Sequence, residues 1–360
     1  KPETKQFLRQ MLACLLCLLL GGGIALGAVW AWMGEDGRTL LSAQHLIAQR
    51  FVGDYDETEA LHGTLGAMVE GLGDRWSYYL TPDEAKQVRE DRENAYVGIG
   101  VTVQPTDDNS GLMVIAVQPG GPAEEAGIRA GDLLLAVEGE DVLTLGIDGT
   151  RNLVRGEEGT RVNMHFSRNG TEYDVSVERR SIETPVVTGE LLDGSIGYVK
   201  IDNFDERSAA ETIAFVKDLI GQGAEALLFD VRFNPGGYAD ELVKVLDYLL
   251  PEGDLFRSVD YAGREEVDTS DASCVELPMA VLVNEDSYSA AEFFAAALQE
   301  YEWATIVGSQ TYGKGNFQTA FYLSDGSMVN LSIGKYYTPN GKSLTETGVT
   351  PDVVVDLDDE

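Results

Sequence analysis

The sequence predicts a multidomain α/β protein in four consecutive parts, and three observations carry the prediction. An uncharged apolar run stands near the N-terminus, short β-type runs broken by Gly, Pro and Asp fill the middle, and β-type and helical runs alternate through the second half. The expected boundaries are 1–34 for a cytoplasmic N-terminus with a transmembrane helix, 35–94 for a helical lead-in, 95–181 for a small β-rich domain and 182–360 for a layered α/β core. A chain of 360 residues exceeds the roughly 100–200 usual for one domain, so a division of this kind is expected.

From Leu12 to Trp32 no residue is charged, and the run is about the 20 residues a helix needs to cross a hydrocarbon core. The apolar region of a cleaved signal peptide is usually about 7–15 residues, so length favours an uncleaved signal anchor. Lys1, Lys5 and Arg9 precede the run, and Glu35 and Asp36 follow it. The positive-inside rule therefore puts the N-terminus in the cytoplasm and the rest of the chain outside, a single-pass protein of the cell membrane with its larger part extracytoplasmic. Trp30 and Trp32 suit the interfacial aromatic belt.

Residues 38–90 read as helical, with apolar positions such as Leu41, Ile47, Leu61, Leu65 and Val69 at three- and four-residue spacings. Thr81-Pro82 followed by acidic residues marks a helix start within that stretch. Between 96 and 180, five β-type runs surround two helices, a short one ended by Gly127 and a longer one closed by Gly156. After residue 184, strand-like SIGYVKI, ALLFDV, PMAVLVN, ATIVG and MVNLSIG alternate with helical runs. The acidic segment 253–276 reads as an inserted hairpin or loop, and VVVDLDDE as a strand fraying into an acidic tail.

Composition removes several function classes. With 26 basic against 61 acidic residues the formal charge is -35, which repels nucleic acid. The three histidines, His45, His62 and His165, all lie outside the expected α/β core, which disfavours a Ser-His-Asp triad and the usual zinc spacings. Two of the three cysteines, Cys14 and Cys17, fall in the apolar run, which leaves Cys274 alone in an acidic stretch with no basic neighbour to activate it. The glycine-rich strings lack the P-loop and dinucleotide patterns, so nucleotide binding is disfavoured too.

A serine can instead be activated by a lysine whose pKa burial has lowered. In AVLVNEDSYSAAEFFAAAL a strand ends at Asn284, and Ser287 or Ser289 then stands at the start of a helix, where N–H groups and the helix dipole favour an oxyanion. Beyond the next strand, SQTYGKGNFQT holds Lys314 between Gly313 and Gly315.

These strings resemble those of the tail-specific, C-terminal processing serine proteases, peptidase family S41. That family carries S-x-S-x-x-E with the second serine as nucleophile, and T-[FY]-G-K-G-x-x-Q with the lysine as base 25 residues on. Ser289 and Lys314 stand 25 apart, which selects Ser289 over Ser287, and Gln318 falls where the family's glutamine orients the lysine. Ala291 replaces the usual third serine. LLFDVRFNPGGYADELV is similar to the family's D-x-R-x-N-P-G-G element, which implies backbone oxyanion donors at Gly236 or Gly237, with the Ala290 N–H. Likewise YVGIGV, GPAEEAGIRAGDLLLAVEGEDV and LVRGEEGT resemble a PDZ domain. By that resemblance Val97, Gly98, Ile99, Gly100 and Val101 would receive a substrate C-terminus, and Arg155 would couple the PDZ domain to the core.

The resemblance covers about residues 60–356. It implies a serine endopeptidase with a Ser-Lys dyad and no cofactor or metal, acting on proteins or peptides with free apolar C-termini. A homo-oligomer is compatible with it. The alternative is a catalytically inactive, membrane-tethered peptide-binding module on the same scaffold, against which intact Ser289, Lys314 and Gln318 count. The charge asymmetry around the apolar run gives a direct test of topology. Protease added to intact cells should digest the part of the chain after residue 34; full protection until the membrane is opened would reverse the orientation.

Overall fold

The computed structural model describes residues 11, 20–23 and 27–355. The expected span over 12–32 therefore lies in part outside the described residues, at 12–19 and 24–26, and no helix among the described residues is long and apolar enough to cross a membrane. The chain divides into two compact units, 1–71 and 72–360.

In the first unit, α1 (Gly34–Arg50) and α2 (Glu57–Glu70) are separated by the irregular segment 51–56. Asp56 caps α2, accepting hydrogen bonds from the Thr58 and Glu59 N–H groups at 2.8 and 3.0 Å. The lead-in is not helical throughout. In the second unit the aromatic string Trp76-Ser77-Tyr78-Tyr79 turns extended after the Gly73-Asp74 turn and forms β1 (Tyr78–Leu80), because β-prone aromatics there find a ladder partner in the core. Helix α3 (Pro82–Arg92) follows, started by a capping box between Thr81 and Glu84 with proline in its first turn.

The β-rich segment matches the sequence reading in layout. Strand β2 (Ala95–Gly98) pairs antiparallel with β9 (Arg180–Glu183), so the segment enters and leaves through one two-stranded ribbon. Beyond that ribbon lies an antiparallel sheet of β3 (Val101–Pro105), β4 (Leu112–Val117), β5 (Leu133–Val137), β7 (Arg161–Arg168) and β8 (Thr171–Glu178), with β6 (Glu140–Asp141) off its side. Strand β3 is an open edge. Helix α4 (Pro122–Glu125) and helix α5 (Val142–Val154) cover a core of Ile99, Leu112, Val114, Ile128, Val162 and Phe166. Gly146, at φ 69 and ψ 179, breaks α5 internally. Arg179 closes the end of that helix by donating to the Val154 and Leu153 carbonyls at 2.8 Å each, which explains why it stops before Gly156.

The α/β core is built on β10 (Val187–Leu192), β11 (Ile196–Ile201), β12 (Ala226–Asp230), β15 (Met279–Val283), β16 (Ala304–Gly308) and β19 (Val353–Val354), in that order. All but the first pair are parallel, with α6 (Ser208–Gly221), α7 (Ala239–Leu249) and α8 (Ala290–Glu300) as connections. A second core sheet orders β1, β18 (Met328–Tyr337), β13 (Gly253–Asp260) and β14 (Glu265–Ser270), with β17 (Asn316–Tyr322) pairing the other side of β18. The acidic segment after residue 253 is thus the β13–β14 hairpin. Helix α8 is buried from Ala290 to Leu298, its Phe293 against Phe256 and Tyr336 and its Phe294 against Phe204 and Phe229. Its N-terminus is therefore held rigidly between the two sheets.

Candidate active site

The six-stranded sheet ends its parallel strands in loops on one side, where ligand sites of open α/β sheets form. After β15, the loop 284–289 is tied down before α8 begins. Ser287 Oγ donates to the Val231 carbonyl at 2.7 Å and accepts from Asn284 N–H at 3.0 Å, and the residue is fully buried. That hydroxyl is consumed by structure. Ser289 differs: its backbone is at φ 59 and ψ -120, a strained strand-to-helix elbow of the kind that presents a hydroxyl at a helix start. Such a conformation costs about 1–3 kcal/mol and must be held by its surroundings.

Much of that holding falls to Glu292, one turn into α8 and fully buried. Its Oε2 accepts the Ser289 N–H at 3.0 Å and the Lys314 N–H at 2.9 Å. Its Oε1 accepts the Gly313 N–H at 2.5 Å and the Thr311 hydroxyl at 2.7 Å. Burial pushes this carboxyl above the ordinary glutamate range, and the four donors oppose the shift. One side chain therefore fixes the backbone of the serine and of the lysine, which stand 25 positions apart in the chain.

Lys314 is partly buried, with its Nζ 4.3 Å from the centre of the Trp76 ring. Burial, joined by the charge of Arg92, pulls its pKa down to about 8 against the opposing charges of Glu292 and Asp74. On that basis roughly a tenth of the amine is neutral near pH 7, against a negligible fraction for an ordinary lysine. Tyr336 donates its phenol hydrogen to the Lys314 carbonyl. Gln318 is placed otherwise than expected: its amide nitrogen donates to the Asn316 carbonyl at 3.0 Å and to Ser332 Oγ at 3.1 Å, and these bonds do not reach the lysine amine. The β-bulge between Phe317 and Gln318 turns that side chain toward β18.

The turn after β12 faces the elbow. A Cβ on Gly236 would lie 2.7 Å from Ser289 Cβ and 2.8 Å from Ala290 N, and a Cβ on Gly237 would lie 2.2 Å from the Phe204 carbonyl carbon. Only glycine permits either approach, and both sit at positive φ. The two are not equivalent. The Gly236 N–H donates to Asn234 Oδ1 at 2.8 Å, whereas the Gly237 and Ala290 N–H groups have no hydrogen-bond partner among the described residues. Asp230 supports the turn by taking both arms of Arg232, at 2.9 and 2.6 Å, and the Tyr198 hydroxyl at 2.9 Å.

In the β-rich domain, Val97 and Gly98 end strand β2, Val101 begins edge strand β3, and Gly100 lies in the two-residue passage between them. Ile99 is not available to a ligand as expected: it is 1% exposed in the domain core, because the single residue between Gly98 and Gly100 turns inward, and it cannot also pack a substrate side chain. Arg155 places its guanidinium 4.8 Å over the ring of Tyr96 on β2. Sequence reasoning gave no role to Glu292, Asp74, Trp76, Arg92 or the Asp230–Arg232 pair. The first lies in the quoted S-x-S-x-x-E string and Trp76 in GLGDRWSYYL, so the signal was present without a contact to interpret it.

A PDZ-type domain placed ahead of a layered α/β core with a serine elbow is the layout of a PDZ-bearing serine peptidase. The model of Peptidase family S41 matches residues 195–355 and that of the PDZ domain residues 113–168. The chain belongs to peptidase family S41, the carboxyl-terminal processing serine proteases with a PDZ domain. The carboxy-terminal processing protease CtpA of Bacillus subtilis is 30% identical over 96% of this chain and 75% of its own length. A carboxyl-terminal-processing protease of Synechocystis is 29% identical over 97% of this chain and 88% of its own. Among solved structures, the photosystem II D1 C-terminal processing protease is 27% identical, covers 91% of this chain and 88% of its own, and has a TM-score of 0.51.

The bridging carboxylate makes a sharp prediction. Glu292→Gln keeps the volume but sets an NH2 group against backbone donors, and buried donors left unpaired cost about 1–3 kcal/mol. Urea unfolding should show a loss of that size together with reduced peptidase turnover. Full stability and turnover in the variant would mean that Glu292 does not hold the two segments.

Proposed function

We propose that this chain is a membrane-anchored, extracytoplasmic serine endopeptidase that takes substrates by their C-termini and cuts them with a Ser289–Lys314 dyad. The observation that carries the reading is the Glu292 carboxylate, which accepts the backbone N–H groups of both residues while the lysine amine is desolvated. In the proposed reaction Ser289 Oγ attacks the scissile carbonyl and its proton passes to neutral Lys314 Nζ. The oxyanion is received by the Ala290 N–H at the start of α8 and by the Gly237 N–H. Gly236, whose own N–H is held by Asn234, supplies the close approach. Lys314 returns the proton to the leaving amine, and water then hydrolyses the acyl-enzyme. Gln318 acts at one remove, by fixing the start of β17 after the lysine loop.

The PDZ domain is proposed to capture the substrate carboxylate on the Gly98–Gly100 loop, with Val97 and Val101 beside it and the open β3 edge pairing the peptide. Arg155, stacked on Tyr96, is proposed to couple that domain to the core. Anchoring rests on the uncharged run 12–32 and the basic residues ahead of it.

Labelling with a fluorophosphonate probe tests the nucleophile. Wild type should label, and Ser289→Ala should neither label nor cut; an active Ser289→Ala chain would falsify the assignment. Lys314→Ala should abolish cutting. Because the base must be neutral and its pKa is lowered to about 8, kcat/KM should rise with pH through about 8 and level off above it. A profile already flat from about pH 6 is inconsistent with a lysine base.

A second measurement addresses recognition. Amidation of a substrate's C-terminus removes a charged acceptor worth about 1.5–3 kcal/mol, so cleavage should slow roughly ten- to hundredfold relative to the free acid. Equal rates would remove the PDZ domain from substrate selection.

A further inference from the structure

The turn that carries the oxyanion glycines holds a second feature, at Phe233. The Asn234 N–H donates to the Val231 carbonyl at 3.3 Å, so residues 231–234 form a tight turn with Phe233 at its third position. Phe233 has φ 62. A turn with positive φ there favours glycine or asparagine, and a bulky aromatic is a steric outlier. The backbone has no freedom to relax. The Phe233 N–H donates to Asn284 Oδ1 at 2.9 Å, and the next residue's carbonyl accepts the Tyr288 N–H at 3.2 Å, so the conformation is fixed by the loop that bears Ser289.

The side chain recovers little of this by packing. Phe233 is 65% exposed, among the most exposed large apolar residues of the core domain. A glycine would serve the turn better, and a polar residue would serve the surface better. An isolated surface hydrophobe needs no explanation, but one kept in a strained backbone and in water has a use that the unliganded fold does not supply. Its neighbours indicate which. Three residues on, Gly236 packs against Ser289 Cβ. Tyr238, also 38% exposed, follows with the Arg92 guanidinium 5.2 Å above its ring. Across the elbow, Tyr288, Tyr312 and Trp76 lie with ring centres 5.4–6.0 Å apart.

We infer that Phe233 is a specificity-determining residue of the cleft, an apolar wall that packs a large aliphatic or aromatic substrate side chain beside the scissile bond. The inference rests on the reading of Ser289 as nucleophile and names the substrate class of that site: extended peptides with a bulky apolar residue next to the bond that is cut. Burying a phenyl face against such a side chain removes enough apolar surface from water to change kcat/KM by about ten- to hundredfold.

Glycine at this position separates specificity from structure, because it adopts φ 62 without strain. Wild type, Phe233→Gly and Phe233→Leu would be compared on fluorogenic peptides that differ only in carrying Phe, Leu or Ala on either side of the cleaved bond. Thermal unfolding and fluorophosphonate labelling would be read in parallel. We expect Phe233→Gly to unfold at the same or a higher temperature and to label at the wild-type rate, while its preference for the Phe and Leu peptides over the Ala peptide falls about ten- to hundredfold. Phe233→Leu should retain most of that preference. An unchanged preference in Phe233→Gly overturns the inference, as does an equal loss on every peptide accompanied by slower labelling and a lower unfolding temperature. A wild-type chain that cuts none of the peptides and takes up no probe overturns the reading of Ser289 and this inference with it.

Discussion

A fully buried carboxylate is the constraint on which the rest of the site depends. Glu292 sits at zero exposure inside the buried stretch of α8, residues 290–298, which is otherwise made of alanine, phenylalanine and leucine. An ionised group there is tolerated only if its lone pairs are occupied. Four donors occupy them, and they come from two segments, the elbow at Ser289 and the stretch Thr311–Lys314, which the Tyr312 N–H also joins by donating to the Ser287 carbonyl at 3.2 Å. Thr311 extends the arrangement, since its hydroxyl also accepts the Val349 N–H at 2.7 Å and so draws in the chain's C-terminal segment. Desolvation makes the carboxylate expensive, and the same desolvation makes its bonds hard to break.

The lysine environment depends on residues far earlier in the chain. Strand β1 pairs with β18 through Tyr78–Asn330 and Leu80–Met328, and Asn330 Nδ2 donates to the Trp76 carbonyl at 3.1 Å. Ser77 Oγ accepts the Ser332 N–H at 3.0 Å, and Asp74 accepts the Ser77 hydroxyl at 2.6 Å. These bonds set Trp76 against the Lys314 amine. Asp74, anchored through Ser77 beside this three-residue strand, is one of the charges that act on the Lys314 amine.

That dependence explains which parts of the site were legible in the sequence. The strand-to-helix passage at Ser289 is a local pattern readable without coordinates, and the 25-residue spacing to Lys314 became legible through the resemblance to peptidase family S41. The PDZ-type alternation of short strands and turns is likewise a local pattern. What was not readable depends on pairing. Tyr78–Leu80 looks like part of a helical lead-in until β18 offers it a ladder, and Ile99 looks available to a ligand until its neighbours turn it into the domain core. The choice between Gly236 and Gly237 is of the same kind, since both lie in one string and only the bond from Gly236 N–H to Asn234 distinguishes them. Gln318 sits at the expected spacing, yet a bulge sends its amide to Ser332. Spacing locates a residue along the chain, whereas its partner is decided by register.

The insertion point of the PDZ domain bears on how recognition and chemistry could communicate. The domain leaves the chain after α3 and returns at β9, and both passages are fastened to the same loop of the core. Asn94, at φ 49, donates its side-chain amide to Asn203 Oδ1 at 3.3 Å and to the Glu206 carbonyl at 2.9 Å. Its own carbonyl accepts from Thr184 N–H and from Arg207, and Arg207 also donates to the Thr184 carbonyl at 2.7 Å. The Asn203–Arg207 loop contains Phe204, whose N–H donates to the Gly236 carbonyl and whose carbonyl accepts the Tyr238 N–H, at 2.8 Å each. The β2–β9 ribbon and the Gly236–Gly237 turn are therefore joined by hydrogen-bonded contacts that meet at Phe204, itself fully buried in the hydrophobic core. Asp205 lies on that route with its Oδ1 buried and unpaired, and burial raises its pKa to about 6. An unsatisfied carboxyl is a costly thing to keep in a loop that only needs to be rigid. The loop that carries it joins the β2–β9 ribbon to the candidate oxyanion donors, and the charge of Arg92 is what offsets the burial of that carboxyl.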